Sequence, residues 1–303
     1  VSRHALNQVS MAVCRRTWLS IATFALVVES IGLMVLAIFF VPEKGWQSGL
    51  YHALFYSISG FNNAGFSLSA DSVGGYASSA GISLTVSILF IIGGLGYIVA
   101  RELYEKRSFR RLSFYSRIIL IATVLFNLAA MIGFFLLEHD NPHTLGQFDS
   151  IGETLLASWF QGTTPRTAGF HTVDISMLGA GTSVMMLLLM FIGGAPNSTA
   201  SGIKLTTFFI LIAATRSFLR GHLKVGLFHR SIASEAVLKA LAITTMAMAT
   251  VGTGIFVLTV SVKADFLDLT FEVFSAFGTV GLSRGATEQL GSIGQITIMA
   301  IML

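Results

Sequence analysis

The chain has 303 residues, 53% of them hydrophobic and 11% charged, with mean hydropathy +0.76 and a net charge of +4. Water-soluble domains carry about 25% charged residues, so the composition excludes a soluble globular protein. The single cysteine, Cys14, excludes an internal disulfide framework or a cysteine-based metal cluster.

Taken in chain order, 1–16 is a basic linker, followed by an apolar span at 17–41, the loop VPEKGW and a shorter segment at 47–59. The stretch SGFNNAGFS comes next, and a second span at 81–103 closes a unit covering 17–103. A basic connection at 104–114 leads to a second unit, 115–216. It has a span at 115–138, a short segment at 150–162, TPRTAGFHT, and an apolar run from 178 that is interrupted by GGAPNSTASG. After another connection at 217–234, the third unit, 235–303, repeats the order with a span at 235–262, a short segment at 266–277, GTVGLS and an apolar run from 292. The central glycines, Gly65, Gly169 and Gly281, are 104 and 112 residues apart, which marks an internal repeat.

A helix needs about 20 residues to cross a 30 Å hydrocarbon core, and the short segments, at 1.5 Å per residue, reach about half of it. The basic residues decide which way they turn. Of 19 Lys and Arg, three lie in 1–16, six in 101–117 and four in 216–230, all on connections that the positive-inside rule keeps on one side. Short segments that re-enter and return to the face they came from satisfy both constraints. Every unit then has the same orientation, unlike the antiparallel halves of inverted-repeat carriers. The expected fold is an all-α integral membrane protein of parallel repeats, each a span, a re-entrant pore helix, a filter strand and a second span around one axis. The flanking spans make the basic clusters signals of orientation, not of nucleic-acid binding.

Non-helical backbone at membrane depth is tolerated only where protein buries it or it lines a water-filled path. The strands Asn63-Ala64-Gly65-Phe66, Thr167-Ala168-Gly169-Phe170 and Thr279-Val280-Gly281-Leu282 offer no carboxylate, imidazole or thiolate. They offer backbone carbonyls, which replace the hydration shell of a hard monovalent cation. Glycine permits the backbone angles that turn those carbonyls inward, and each pore helix directs its partially negative C-terminus at the path. In the second unit, Gly193, Gly194, Ala195, Pro196, Asn197, Ser198, Thr199, Ala200, Ser201 and Gly202 form a run of small and helix-breaking residues too long for a proline kink. It is read as a non-helical loop under the filter, acting as a gate. Lys204 beside it is an ionisable group inside a span; it either holds the loop by hydrogen bonds or repels cations when the gate is closed.

These motifs together resemble the filter segments of the Trk/Ktr/HKT potassium-transporter superfamily, and FIGGAPNSTASGIKLTTF (191–208) is similar to the interrupted helix in membrane subunits of bacterial Ktr systems. The resemblance runs from about Ala5, with ALNQ resembling the linker after the family's first repeat. It implies four repeats in a pseudo-fourfold, potassium-channel-like arrangement, of which the second, third and fourth are visible here and the last is cut short. It also implies K+ as the transported ion, Na+ as a candidate second ion, a homodimer, a multi-pass protein of the bacterial plasma membrane, and a cytoplasmic nucleotide-binding regulatory ring of the KtrA kind. No cofactor is expected. One glycine per strand implies weaker discrimination against Na+ than in potassium channels.

Several residues keep two readings. Asn62 and Asn63 either hydrogen-bond behind the strand or line the path. Arg166 either points into the path or, as preferred, braces the filter through a neighbouring pore helix or a carboxylate such as Glu153 or Glu272. Glu29, in mid-span, needs a partner or a proton. His171 and Asp174 are placed at the outer mouth, while His52 is read as packing. An intramembrane enzyme is disfavoured by the lack of HExxH, GxSxG or an acidic pair on a span. A secondary carrier for another cation or small solute is the alternative.

Overall fold

The computed structural model describes residues 2–166, 168–221, 225–227 and 230–303, with side chains from position 15 onward except at 227 and 230. Helices α1 (Ser2–Lys44), α5 (Phe114–Glu138) and α9 (Ser234–Ser261) contain stretches long and apolar enough to cross a membrane, as their runs of Leu, Ile, Val, Phe and Ala require. Pro42 falls in the last turn of α1, and Gly45, with φ 79°, turns the chain directly into the next helix.

Each long helix is followed by a short one: α2 (Trp46–Phe61), α6 (Ile151–Thr163) and α10 (Phe266–Phe277). At 16, 13 and 12 residues they reach roughly three-fifths to four-fifths of the hydrocarbon thickness. Ser150 and Asp265 cap α6 and α10 by accepting backbone N–H groups from Glu153 and Leu267. Glycines seat α2 and α6 on their spans: a Cβ at Gly49 would lie 2.6 Å from Phe40 O, and one at Gly162 would lie 2.7 Å from Met131 N.

The closing helices differ from unit to unit. In place of one span over 81–103, the chain forms α3 (Ala80–Leu95) and α4 (Tyr97–Lys106), which bend by 98° at Gly96. The cause is local: Gly96 adopts φ 80°, ψ 151°, a conformation essentially confined to glycine. In the second unit α7 (Ala180–Phe191) and α8 (Leu205–Leu219) flank the predicted interruption, and the third unit closes with α11 (Ser292–Met302). Between α8 and α9, β1 (Gly226–Leu227) pairs antiparallel with β2 (Arg230–Ser231).

The buried apolar clusters straddle the units. Leu36, Phe40, Tyr56, Val86 and Phe90 of the first unit pack with Phe160, Ala168 and Phe170 of the second. Phe134, Met186 and Met190 of the second pack with Phe271, Val280 and Leu282 of the third. A further cluster joins Val99 of α4 and Ile119 of α5 to Ala195 and Leu205 at the two ends of the interruption. Large apolar side chains such as Ile38, Leu136, Phe256 and Val260 stay exposed on the outside, the pattern of helices facing lipid.

Candidate ion pathway and gate

The three short helices end where the glycine strands begin, at Phe61, Thr163 and Phe277. Gly65, Gly169 and Gly281 all have left-handed φ, 70°, 77° and 89°, and Asn63 and Thr279 share that region at 52° and 46°. Thr167 lies outside the described residues. The strands are side by side. A Cβ on Gly65 would lie 2.8 Å from Ala168 O, and one on Gly169 would lie 2.0 Å from Val280 O, so each of these carbonyls abuts the glycine of the preceding unit. A side chain has no room at either position, and the crowding atoms are backbone oxygens.

Burial along the strands is uneven. Asn63, Ala168, Gly169, Phe170, Val280 and Leu282 are buried, whereas Ala64, Phe66, Thr279 and Gly281 are exposed and Gly65 is half-buried. Hydroxyls at the ends of the short helices hold the strands from behind: Ser59 Oγ donates to Phe66 O at 2.8 Å, Thr164 Oγ1 donates to Phe170 O at 2.6 Å, and Gly281 N donates to Ser275 Oγ at 3.1 Å. The sequence reading missed these three residues. A hydroxyl near the C-terminal end of every short apolar helix was the available signal.

Asn62 and Asn63 both face away from the strands. Asn62 Nδ2 donates to Glu29 Oε1 at 2.7 Å, which gives the mid-span carboxyl its partner, while Asn63 Nδ2 reaches Phe90 O and Thr199 Oγ1. Arg166 braces, as preferred, but through different groups than expected. Its guanidinium donates to Asn127 Oδ1 at 3.0 Å and Gly193 O at 3.3 Å and lies over the Phe126 ring, in place of a bond to Glu153 or Glu272. Glu272 instead accepts from Ser283 and from Thr287 Oγ1, holding the loop after the third strand.

Residues 192–204 form a closed non-helical loop, not a kinked helix. Gly193 N donates to Ile203 O at 3.0 Å, Ile203 N to Phe191 O at 3.0 Å and Leu205 N to Gly194 O at 3.1 Å, while Asn197 and Gly202 take φ of 57° and 72°. Ser198 Oγ donates to Ala195 O at 2.6 Å, and Lys204 Nζ donates to Ala200 O, so the lysine holds the loop. The loop rests on the elbow of the first unit: Ala195 N donates to Gly94 O at 3.0 Å, and the Asn197 carbonyl would lie 2.9 Å from a Cβ on Gly96.

At the outer end, His171 N donates to Ser72 Oγ and Val73 N donates to His171 O, joining the loops of the first two units. Burial pushes the His171 imidazole below its ordinary value, and Asp71 and Asp174 partly offset this. Asp174 is exposed, caps its own turn through Ser176, and with Asp71, Asp149 and Glu153 lines a cavity of about 480 Å³. Arg284 clamps the third unit to the second, bonding Asp268 Oδ1 at 2.7 Å, Ser183 Oγ at 2.8 Å and the carbonyls of Ile175 and Leu178. His52 Nδ1 donates to Ser48 O and the ring packs against Phe40, in agreement with a packing role.

The sequence profile of the family described as TrkH, cation transport protein, matches residues 1–303. The chain is 44% identical over 279 residues to the Ktr system potassium uptake protein B of Bacillus subtilis, covering 92% of this chain and 62% of that protein. It is 40% identical over 305 residues to the protein of the same name from Vibrio alginolyticus, covering 100% of this chain and 67% of that one. Identity to the potassium/sodium uptake protein NtpJ of Enterococcus hirae is 35% over 306 residues, covering 100% and 67%. The crystal structure of the potassium transporter TrkH from Vibrio parahaemolyticus has the same fold, with TM-score 0.72 over 89% of this chain and 58% of that one, at 17% identity. The chain thus spans about three-fifths to two-thirds of the length of these proteins.

Proposed function

This chain belongs to the TrkH family of cation transport proteins, and from that premise we propose that it carries potassium inward across the bacterial plasma membrane along the path formed by its glycine strands. The carrying observation is the mutual approach of the strands, with Ala168 O against Gly65 and Val280 O against Gly169. Three left-handed glycines gathered in this way support a ring of main-chain dipoles, which stand in for water around an alkali cation. The C-terminal ends of α2, α6 and α10 add partial negative charge to the same place. A fourth strand beside Gly281, where a Cβ would meet no atom of the described residues within 4 Å, completes the ring in this proposal.

Residues 193–202 with Lys204 act as the gate beneath the filter; their closed hydrogen bonding and their seat on the α3–α4 elbow support that role. Na+ is proposed as a second ion, since the Enterococcus relative is named a potassium/sodium uptake protein. A homodimer resting on a cytoplasmic nucleotide-binding ring of the KtrA kind completes the assembly. Support for a companion component comes from two relatives named as protein B of a Ktr system.

The direct test is Gly169→Val followed by rubidium uptake in cells lacking their own potassium uptake systems. A β-branched residue at φ 77°, against a backbone oxygen, costs about 1–3 kcal/mol from the dihedral alone, and uptake is expected to fall about 5- to 150-fold. Unchanged rubidium uptake and unchanged preference among alkali cations would sink the filter reading.

A further inference from the structure

Among the described residues, two side chains beside the filter strands reach the gate loop. Asn63, buried and in the left-handed region that Asn tolerates better than most residues, donates from Nδ2 to Thr199 Oγ1 at 2.5 Å and to Phe90 O at 3.3 Å. The Thr199 hydroxyl in turn donates to Phe61 O at 3.3 Å, the last residue of α2, and Thr199 N donates to Gly93 O at 3.3 Å. One hydroxyl therefore joins a pore helix, a filter strand and the loop. On the far side, Arg166, which ends the turn into the second strand, donates to Gly193 O at the start of the same loop.

From this geometry we infer that Asn63 and Thr199 are a coupling pair, so that the conformation of the 63–66 strand and the position of the gate loop form one equilibrium. The inference rests on the filter and gate reading above and adds a specificity-determining residue, Thr199, that lies outside the filter. The physical reason is accounting of partners. If the loop leaves its seat, Asn63 Nδ2 keeps only the weaker bond to Phe90 O, in a buried position where a lost partner is costly. The left-handed conformation of Asn63 then loses its anchor, and the carbonyls of the strand are free to relax. A strand with relaxed carbonyls discriminates less between cations. Opening the gate and loosening the filter are therefore linked events, and a change at either end must be felt at the other.

The test measures the ratio of rubidium to sodium uptake, taken within one population of cells so that protein abundance cancels. Thr199→Val removes the hydroxyl without touching a filter residue, and is expected to shift that ratio about 2- to 10-fold, the scale of one hydrogen bond. Thr199→Ser keeps the hydroxyl and is expected to keep the parental ratio. Asn63→Ala, which also loses the bond to Phe90 O and places alanine at φ 52°, is expected to shift the ratio at least as far as Thr199→Val, and adding Thr199→Val to it is expected to change nothing further. An unmoved ratio in Thr199→Val, or full additivity in the double variant, overturns the coupling. The two readings fail separately: silence of Gly169→Val removes the filter, whereas an active Gly169 effect with an unmoved Thr199→Val ratio removes only the coupling.

Discussion

His171 follows the second glycine strand directly, and its backbone ties the loops of two units together. Its ring is held below its ordinary pKa by burial, against the pull of Asp71 and Asp174. The sign follows from linkage. With the folded value depressed, the stabilising contribution is present above the unfolded value of about 6.5 and is lost as pH falls through the folded value. Acidifying the outer medium from pH 7 to well below the free imidazole value of about 6.5 therefore places an unfavourable positive charge beside the glycine strands. Rubidium uptake is expected to fall over that interval, and His171→Asn to flatten the profile. An identical pH profile in the variant would refute this. Arg166 shows the limit of sequence reading at this scale: its bracing role followed from its place before the strand, but Asn127, 39 residues away, could not be identified as its partner. The Asn63–Thr199 contact spans 136 residues and was equally invisible.

Among the elements, spans and half-length helices were legible because hydropathy and the 1.5 Å rise leave few alternatives. The elbow was not. FIIGGLGYIVA is apolar throughout, so the run read as one helix, although Gly96 turns it by 98°. The turn is made at Gly96 itself, with φ 80° and ψ 151°, and a glycine within an apolar run does not announce that conformation; the loop at 193–202 packs against it. Gly96→Ala is therefore expected to cost about 1–3 kcal/mol, seen as a lower thermal midpoint in detergent, and to alter uptake, because its Cβ would meet Asn197 O at 2.9 Å. Gly252→Ala is the control: it sits within α9 with no atom near its Cβ position, and alanine there is expected to be neutral or stabilising by up to about 1 kcal/mol. Equal behaviour of the two variants would show that the elbow has no special requirement for glycine.

At the scale of the whole molecule, the charge distribution and the half-length helices together demand that all units point the same way. In a chain with Cys14 replaced by serine, single cysteines at Glu43, His143 or Lys263 are expected to react with an impermeant thiol reagent added outside intact cells. Cysteines at Arg110 or Arg220 are expected to react only after the membrane is opened. Labelling that alternates from one basic connection to the next would rule out the shared orientation. The fold class was legible at this scale because membrane thickness and loop charge are global constraints. The clamp made by Arg284 was not, because it depends on how one unit's loop meets the carbonyls of another.

Because Phe160 and Phe170 complete the packing of the first unit and Phe271 and Val280 that of the second, neither of these two units owns a finished interior. During synthesis on the ribosome, each newly inserted hairpin must wait beside lipid with a raw flank until its successor arrives. Maturation is therefore sequential and ends in a single closing event. A lesion in any one unit should lead to disposal of the entire polypeptide by quality-control proteases, with no half-working remnant left behind.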